Sequence, residues 1–379
     1  MRIGLDLRPF LREETGIGVY FRNLLFSLAK IDRENEYFLF SSSLKDRFSV
    51  NKIPAFTRMN FRDFHYPVEA INFFWYRLLF PPLDYFFKKR LDLTHSPTPL
   101  ILPTKGKKII SVHDLFFVDS PELTDKDTRK NFPKRVYSSI QKADGVIAVS
   151  EFVKEQLLNR FVIDEEKVKV IYHGTDPDFY SEVPARRLDR VIKKHTLPSD
   201  FLLFVGAIEP RKNLTNLIKA LKIVHKRHKK ISLVIAGRKG SDYSKVKALI
   251  LKNRLEDWVK TLDYLPSEEV RCLYNLASLF VFPSLCEGFG LPLLEAMASR
   301  LPLVVSGVSA LPEIADDAAL YFDPNSPESI AGRVIEVLQD KSLQKKLIVR
   351  GRERSKAFDW EKTAVETLDF YKTIAGGAE

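Results

Sequence analysis

A regular alternation of short, β-rich apolar runs with helical stretches, repeated in two separate series, constrains this chain more than any other feature. The first series comprises Ile3–Leu7, Tyr37–Phe40, Leu91–His95, Lys108–Val112 and Gly145–Val149. The second comprises Phe201–Val205, Ser232–Ala236, Val259–Leu262, Leu279–Phe282, Leu301–Val305 and Ala319–Phe322. Apolar runs of this length suit strands buried on both faces, and strands separated by helices belong to parallel sheets with helices on either side. A chain of 379 residues also exceeds the usual ceiling for one core. Between the two series, His173, Gly174, Thr175, Asp176 and Pro177 supply turn chemistry, followed by a charged stretch from Arg186 to Lys194. The expectation is an α/β protein of two doubly wound domains with a cleft between their strand ends: an N-terminal domain over 1–176, a linker over 177–198 and a second domain from 199.

Composition narrows the setting. Cys272 and Cys286 are the only cysteines and have neither zinc-site nor disulfide spacing. Met1 to Arg8 lacks the regions of a signal peptide. The longest apolar stretch, Ile71 to Phe87, is broken by Arg77, Pro81, Pro82 and Asp84, so no membrane-spanning helix is expected. A cytoplasmic protein fits all three observations. The net charge of +11 is concentrated between residues 186 and 260, where twenty Lys or Arg face six Asp or Glu. No zinc finger, RNA-binding aromatic pattern or helix-turn-helix accompanies that excess, which argues against nucleic acid. A solvated helix face, an anionic small molecule and an anionic membrane surface remain.

Three motifs carry chemistry. After the first strand, Thr15, Gly16, Ile17, Gly18 and Val19 open the helical pattern Tyr20 to Lys30. Small residues there let backbone amides approach phosphate, although a GxG pair serves equally well as a tight turn. Phe21 stands where a dinucleotide fingerprint needs its third glycine region, which argues against a dehydrogenase. The second motif runs from Val205 through Gly206, Ala207, Ile208, Glu209, Pro210, Arg211 and Lys212 to Asn213 and Leu214. Cations at a helix start oppose the helix dipole, so Arg211 and Lys212 suit a diphosphate leaving group better than a plain exposed face. The third motif spans Cys286 to Ala298. Glu287 precedes a helix on a glycine-rich loop, and Glu295 lies about two turns inside that helix. Carboxylates accept hydrogen bonds from paired hydroxyls, while the Gly290 and Leu291 amides face phosphate at the helix start. A surface position is the plainer alternative for Glu295.

Together these motifs resemble glycosyltransferase family 4, whose pattern of Glu, seven residues, Glu is met by Glu287 and Glu295. The resemblance covers nearly the whole chain, including Phe358, Asp359 and Trp360, which is similar to the start of the family's crossover helix. It implies a GT-B fold of two Rossmann-like domains facing each other across a cleft. The second domain would then occupy 199–357, with a C-terminal helix over 358–379 crossing back onto the first domain. It further implies that Glu295 holds a ribose, that Glu287, Phe289, Gly290 and Leu291 hold the donor sugar and its phosphates, and that Arg211 and Lys212 hold the pyrophosphate beside Gly206. Gly16 and Gly18 would touch phosphate or sugar, and Gly237, Arg238, Tyr264 and Leu265 would border the nucleobase. His113 corresponds to a family histidine near the reacting carbon, with Asp114 to orient it; a helix-capping His–Asp pair is the alternative. Ser150 reads as an N-cap for the helix from Glu151.

The implied activity is retaining hexosyl transfer. With no evident carboxylate nucleophile, a same-face mechanism in which the departing phosphate oxygen takes the acceptor proton is expected. No Asp-x-Asp motif lies near the donor segment, so no metal is expected, and the only co-substrate is the nucleotide diphosphate sugar. Ser111 to Glu122 resembles family members that transfer mannose in bacterial surface polysaccharide synthesis, which favours GDP-mannose over UDP-sugars. A glycan or lipid-linked glycan is the expected acceptor. From Ile71 to Arg90, Phe73, Phe74, Trp75, Tyr76, Phe80, Tyr85, Phe86 and Phe87 lie beside Arg77, Lys88, Lys89 and Arg90. That composition fits peripheral contact with the inner face of the plasma membrane and equally a buried core segment. A nonhydrolysing sugar-nucleotide epimerase and a non-catalytic nucleotide-sugar binding protein are the alternatives of other classes.

Overall fold

A computed structural model describes residues 1–11, 15–45, 53–119 and 126–376. The chain divides into two compact units. The first comprises Met1–Val118, Lys126–Gly174 and Asp359–Glu379, and the second is built on Thr175–Phe358.

The first unit holds a sheet of β1 (Arg2–Asp6), β2 (Glu36–Ser42), β3 (Met59–Phe64), β4 (Leu93–Ser96), β5 (Lys107–Val112), β6 (Gly145–Ala148) and β7 (Val168–Val170). Its order is β3-β2-β1-β4-β5-β6-β7, with every pair parallel. Two of these strands escape the sequence pattern. Strand β3 is an edge strand with no fully buried residue, and β7 has only three residues, so neither shows an apolar run. The helix Trp360–Gly376 returns to this unit and packs on the helix Gly16–Ile31, burying Trp360, Phe370 and Tyr371. Its first residues lie so close to Gly174 that a Cβ there would fall 2.1 Å from the Trp360 amide nitrogen.

The second unit holds β8 (Phe201–Val205), β9 (Ser232–Ala236), β10 (Val259–Leu262), β11 (Leu279–Phe282), β12 (Leu303–Ser306) and β13 (Ala319–Phe322). Its order is β10-β9-β8-β11-β12-β13, again wholly parallel. Residues 177–198, expected as a linker, instead carry a short 3-10 turn, Pro177–Tyr180, and a helix, Ala185–His195, that belong to this unit. The helix is fastened by Glu269, which lies 2.6 Å from both Lys194 Nζ and His195 Nε2. Its charged sequence is the exposed face of an ordinary surface helix.

In each sheet the strand order reverses once, between β1 and β4 and between β8 and β11. Helices leave adjacent strands in opposite directions at such a point, opening a crevice at the strand carboxyl ends where ligands of doubly wound sheets bind. The segments after β8 and β11 contain the Arg-Lys and Glu-Glu motifs, and the segment after β1 contains the glycine loop.

Candidate functional site

In the second unit the switch point gathers an alternating chain of charge. After β8 the backbone passes Gly206 and a 3-10 turn, Pro210–Lys212, before the helix Leu214–Val224 begins. Asn213, at φ 56°, ties this turn to the ends of β11 and β13 by donating to the carbonyls of Pro283 (3.0 Å) and Pro324 (2.7 Å). The turn presents Lys212 Nζ to Glu287 Oε1 at 2.5 Å and Arg211 Nη1 to Glu287 Oε2 at 3.0 Å. Arg211 Nε also lies 3.3 Å from Glu209, which in turn lies 3.2 Å from Arg238. Three cations thus meet two carboxylates, and the cluster keeps a positive excess while every side chain is held in position.

Burial sets the strength of these pairs. Lys212 and Glu287 are 6% and 7% exposed. Burial raises the Glu287 carboxyl, but the charges of Lys212 and Arg211 overcome it and hold the group down at about 2. Burial, together with the neighbouring Arg211, lowers Lys212, and Glu287 partly restores it. The ammonium also sits 5.1 Å from the centre of the Phe282 ring. Glu287 is fixed from behind as well, its own N–H donating to Ser309 Oγ at 3.1 Å.

Two glycines shape the floor of this site. Gly237, at φ 150°, ends β9, and a Cβ there would lie 2.2 Å from the carbonyl oxygen of Gly206. Gly290, at φ 97°, turns the chain into the helix Leu291–Ala298. Phe289 before it is buried edge-on against Phe358, with ring centres 5.8 Å apart. Inside that helix Glu295 accepts a hydrogen bond from the Tyr274 hydroxyl at 2.8 Å. Its carboxyl is pushed up to about 7 by burial and by the charge of Asp176, against the pull of Tyr274. The two motif carboxylates therefore differ sharply: Glu287 is a locked anion, and Glu295 exchanges its proton near neutrality. Tyr264 and Leu265 follow the edge strand β10; Tyr264 is exposed, and neighbouring Asp263 lies 3.3 Å from Lys239.

In the first unit Thr15 caps the helix Gly16–Ile31, its hydroxyl accepting from the Gly18 N–H at 3.2 Å. Among the described residues a Cβ on Gly16 would meet nothing within 4 Å, so their packing does not explain the missing side chain. His113 follows β5, and its Nε2–H donates to the carbonyl of Pro97 at 2.9 Å. Burial lowers the ring to about 4, so at neutral pH it is uncharged and offers Nδ1 as an acceptor. Around it lie Tyr20 (4.8 Å between ring centres) and His173 (5.3 Å), with Trp360 stacked on His173 at 5.7 Å. Beneath, His95 joins Tyr371 (2.6 Å) to Ser111 (2.8 Å), and Ser111 joins Tyr20 (3.0 Å). Ser150 is the N-cap expected of it, accepting from the Val153 N–H at 3.2 Å. Of Ser111 to Glu122, residues 120–122 lie outside the described residues.

Comparison with known proteins gives the family. Residues 15–179 match the family model described as Glycosyltransferase Family 4, and residues 186–354 match Glycosyl transferases group 1. O-antigen chain mannosyltransferase B of Escherichia coli is 30% identical over 303 residues, 79% of each chain. O-antigen chain mannosyltransferase RfbU of Salmonella typhimurium is 30% identical over 265 residues, 67% of this chain and 66% of that protein. The chain belongs to glycosyltransferase family 4. Among solved structures, sucrose-phosphate synthase from Thermosynechococcus elongatus superposes with a TM-score of 0.78 at 20% identity over the whole of both chains, which shows the same fold.

Several residues of this glycosyltransferase's candidate site carry no signal in the sequence. Tyr274 sits in a helix of ordinary composition, Ser309 in a loop, and Glu209 reads as part of a turn. His95 and Tyr371 are 276 positions apart. His173 was legible only as turn chemistry. Their roles arise from contacts that the chain order does not encode locally.

Proposed function

We propose that this glycosyltransferase transfers a mannosyl residue from GDP-mannose to a glycan or lipid-linked glycan in cell-surface polysaccharide synthesis, with retention and without a metal. The observation that carries the reading is the cluster of Arg211, Lys212 and Glu287 at the β8/β11 switch point. Arg211 and Lys212 supply fixed positive charge for a diphosphate leaving group, where growing negative charge needs stabilisation without reorganisation. Glu287 keeps those cations in place and has lone pairs to accept hydroxyls of the donor sugar. Glu295 accepts the ribose hydroxyls, and Gly290 and Leu291 bring helix N-terminal amides to phosphate. Gly237, Arg238, Tyr264 and Leu265 border the base. His113, held neutral, suits hydrogen bonding to a sugar and contributes no fixed charge.

Protonation completes the reaction as follows. The C1–oxygen bond to the diphosphate breaks, and the acceptor oxygen bonds to C1 on the same face. Its proton passes to the departing phosphate oxygen, so no enzyme nucleophile is needed. The mannose assignment leans on the two O-antigen mannosyltransferases similar to this chain. Contact of the first unit with an anionic membrane surface belongs to the same reading, because a lipid-linked acceptor lies at one.

Thermal shift with GDP, UDP, GDP-mannose, UDP-glucose and UDP-N-acetylglucosamine, each with and without EDTA, tests the donor. Stabilisation by the guanine pair that survives EDTA and vanishes in Glu295→Ala is expected. Stabilisation by the uridine nucleotides instead would reassign the donor. Conversion of donor without any acceptor would indicate an epimerase, and binding without transfer or slow hydrolysis a silent binder.

A further inference from the structure

The first unit carries a second, differently built feature, on the segment between β3 and β4. There Ile71, Trp75, Leu83 and Phe87 are buried with Phe38, Phe40, Leu91 and Leu102 in one apolar cluster. From the same segment Phe73, Phe74, Leu78, Phe80 and Tyr85 are 44 to 70% exposed. Scattered exposed apolar side chains need no explanation, but five from one short segment do. The segment is firmly anchored. Arg8, paired with Asp6 at 2.7 Å, donates to Asn72 Oδ1 at 2.9 Å and lies 4.5 Å from the Trp75 ring centre.

Beside these exposed side chains lies a cavity of about 210 Å³, lined by Tyr76, Arg77, Leu78, Arg135, Ser138 and Lys142 among others. Arg77 comes from the aromatic segment, and Arg135, Ser138 and Lys142 from the helix Lys126–Lys142. Among the described residues no carboxylate lines the cavity, and none of its three cations is paired with one. By contrast Lys107 and Lys108 are matched by Asp144, and Arg211 and Lys212 by Glu287. Three cations and a serine hydroxyl lining one cavity suit a phosphate, which takes charge-assisted hydrogen bonds from several donors.

We propose that this cavity binds the phosphate of an anionic lipid headgroup, with the exposed side chains around Leu78 entering the boundary between headgroups and acyl chains. Leu78 belongs to both features, so the ligand must be anionic at one end and apolar beside it. A soluble phosphate satisfies the cations and leaves the apolar rim in water; a lipid at a membrane surface satisfies both. The inference rests on the reading of a membrane-borne acceptor and is independent of which nucleotide sugar is used.

Partitioning into phosphatidylcholine vesicles, with and without phosphatidylglycerol, tests it on the full chain at about 150 mM salt. Tight binding is expected only with phosphatidylglycerol present. Arg135→Gln combined with Lys142→Gln should weaken it by roughly 20- to 30-fold, and Phe80→Ser combined with Tyr85→Ser by roughly 10-fold. Lys167→Gln combined with Lys169→Gln removes equal charge from the same unit and should change it less than about 3-fold. All these positions are exposed, so each variant should keep the parent's melting temperature and donor-induced shift, and Arg77→Gln provides an independent cavity variant. Equal losses in the cavity and control pairs would mean general electrostatics and overturn the site. So would unchanged binding in both the cavity and aromatic variants. Titration with inorganic phosphate separates the sources: binding as tight as to the vesicles and indifferent to Phe80→Ser and Tyr85→Ser would overturn the lipid assignment. A lost donor shift in the parent chain would instead count against the transfer reading and leave the vesicle result standing.

Discussion

The two sheets share one topology and present opposite electrostatics at their switch points. After β8, β9 and β11 the second unit places a chain of Arg238, Glu209, Arg211, Glu287 and Lys212, charged and cross-braced. Around the strand ends of the first unit, Tyr20, His95, Ser111, His113 and His173 form a packed and uncharged group. Burial explains the contrast in both directions. It strengthens the attraction that keeps Glu287 ionised where cations adjoin it. Among the histidines of the first unit burial prevails instead, lowering His113 to about 4 and His95 to about 3. One doubly wound frame thus supplies either fixed charge or neutral hydrogen-bonding groups, according to the side chains at its carboxyl edge.

Removing a single charge from the second unit breaks the comparison most severely. Lys212→Ala leaves Glu287 buried beside one cation instead of two. We expect kcat to fall by roughly 10²- to 10³-fold and stability by about 3 kcal/mol or more. Steady-state kinetics and denaturant unfolding measure the two. Recovery of stability, without activity, in Lys212→Ala combined with Glu287→Gln would attribute the loss of stability to the stranded charge.

Acid sharpens the contrast between the units. His113 and His95 have folded values below the usual 6.5, so the unfolded chain binds their protons more readily. Their contribution to stability is complete above pH 6.5 and is lost as pH falls toward 4 for His113 and 3 for His95, at roughly 1.4 kcal/mol per unit per group. Chemical denaturation across that range should show a fall that His95→Asn combined with His113→Asn flattens. Glu287, depressed to about 2, holds its contribution until pH drops below about 4.5 and loses it on the way to 2.

Glu295 runs with the opposite sign. Its folded value of about 7 lies above the unfolded carboxylate value, so its protonated form stabilises the fold at low pH and that contribution is lost as pH rises from about 4.5 to 7. Donor binding should move the other way, because the ionised carboxylate accepts ribose hydroxyls. Between pH 6 and 8 the ionised fraction rises roughly tenfold, and donor affinity by titration calorimetry should tighten by up to that factor. A pH-independent affinity that persists in Glu295→Gln would remove Glu295 from the donor site.

The smallest structural effect tests the glycine loop. Gly16→Ala adds a Cβ into open space and should leave stability within about 1 kcal/mol of the parent, or raise it. Transfer activity should nevertheless fall severalfold if a ligand approaches this backbone, and unchanged activity would make the glycine a turn residue only.

Much of the fold was legible because parallel strands buried on both faces leave continuous apolar runs, as at Phe201–Val205 and Leu279–Phe282. Strand β3 was not legible because an edge strand alternates in exposure, and the helix Ala185–His195 was hidden by its own charge, since only Val191 is buried. The motif residues Arg211, Lys212, Glu287 and Glu295 could be picked out as candidates because cations at a helix start and acids among apolar neighbours are anomalies against local expectation. The aromatic segment was ambiguous for the opposite reason. Residue types alone cannot assign Trp75 to the core and Phe74 to the surface, where the turn of a short π-helical stretch decides.

By itself, then, the amino-acid sequence determined two parallel α/β units and which side chains break their local pattern, because periodicity and propensity act over a few residues. Only the tertiary structure decided the protonation of those side chains and their partners. Glu287 and Glu295 are the same residue eight positions apart. One lies between Arg211 and Lys212, the other beside Tyr274 and Asp176, and the energy of a buried charge is set by what the fold brings within a few ångströms of it.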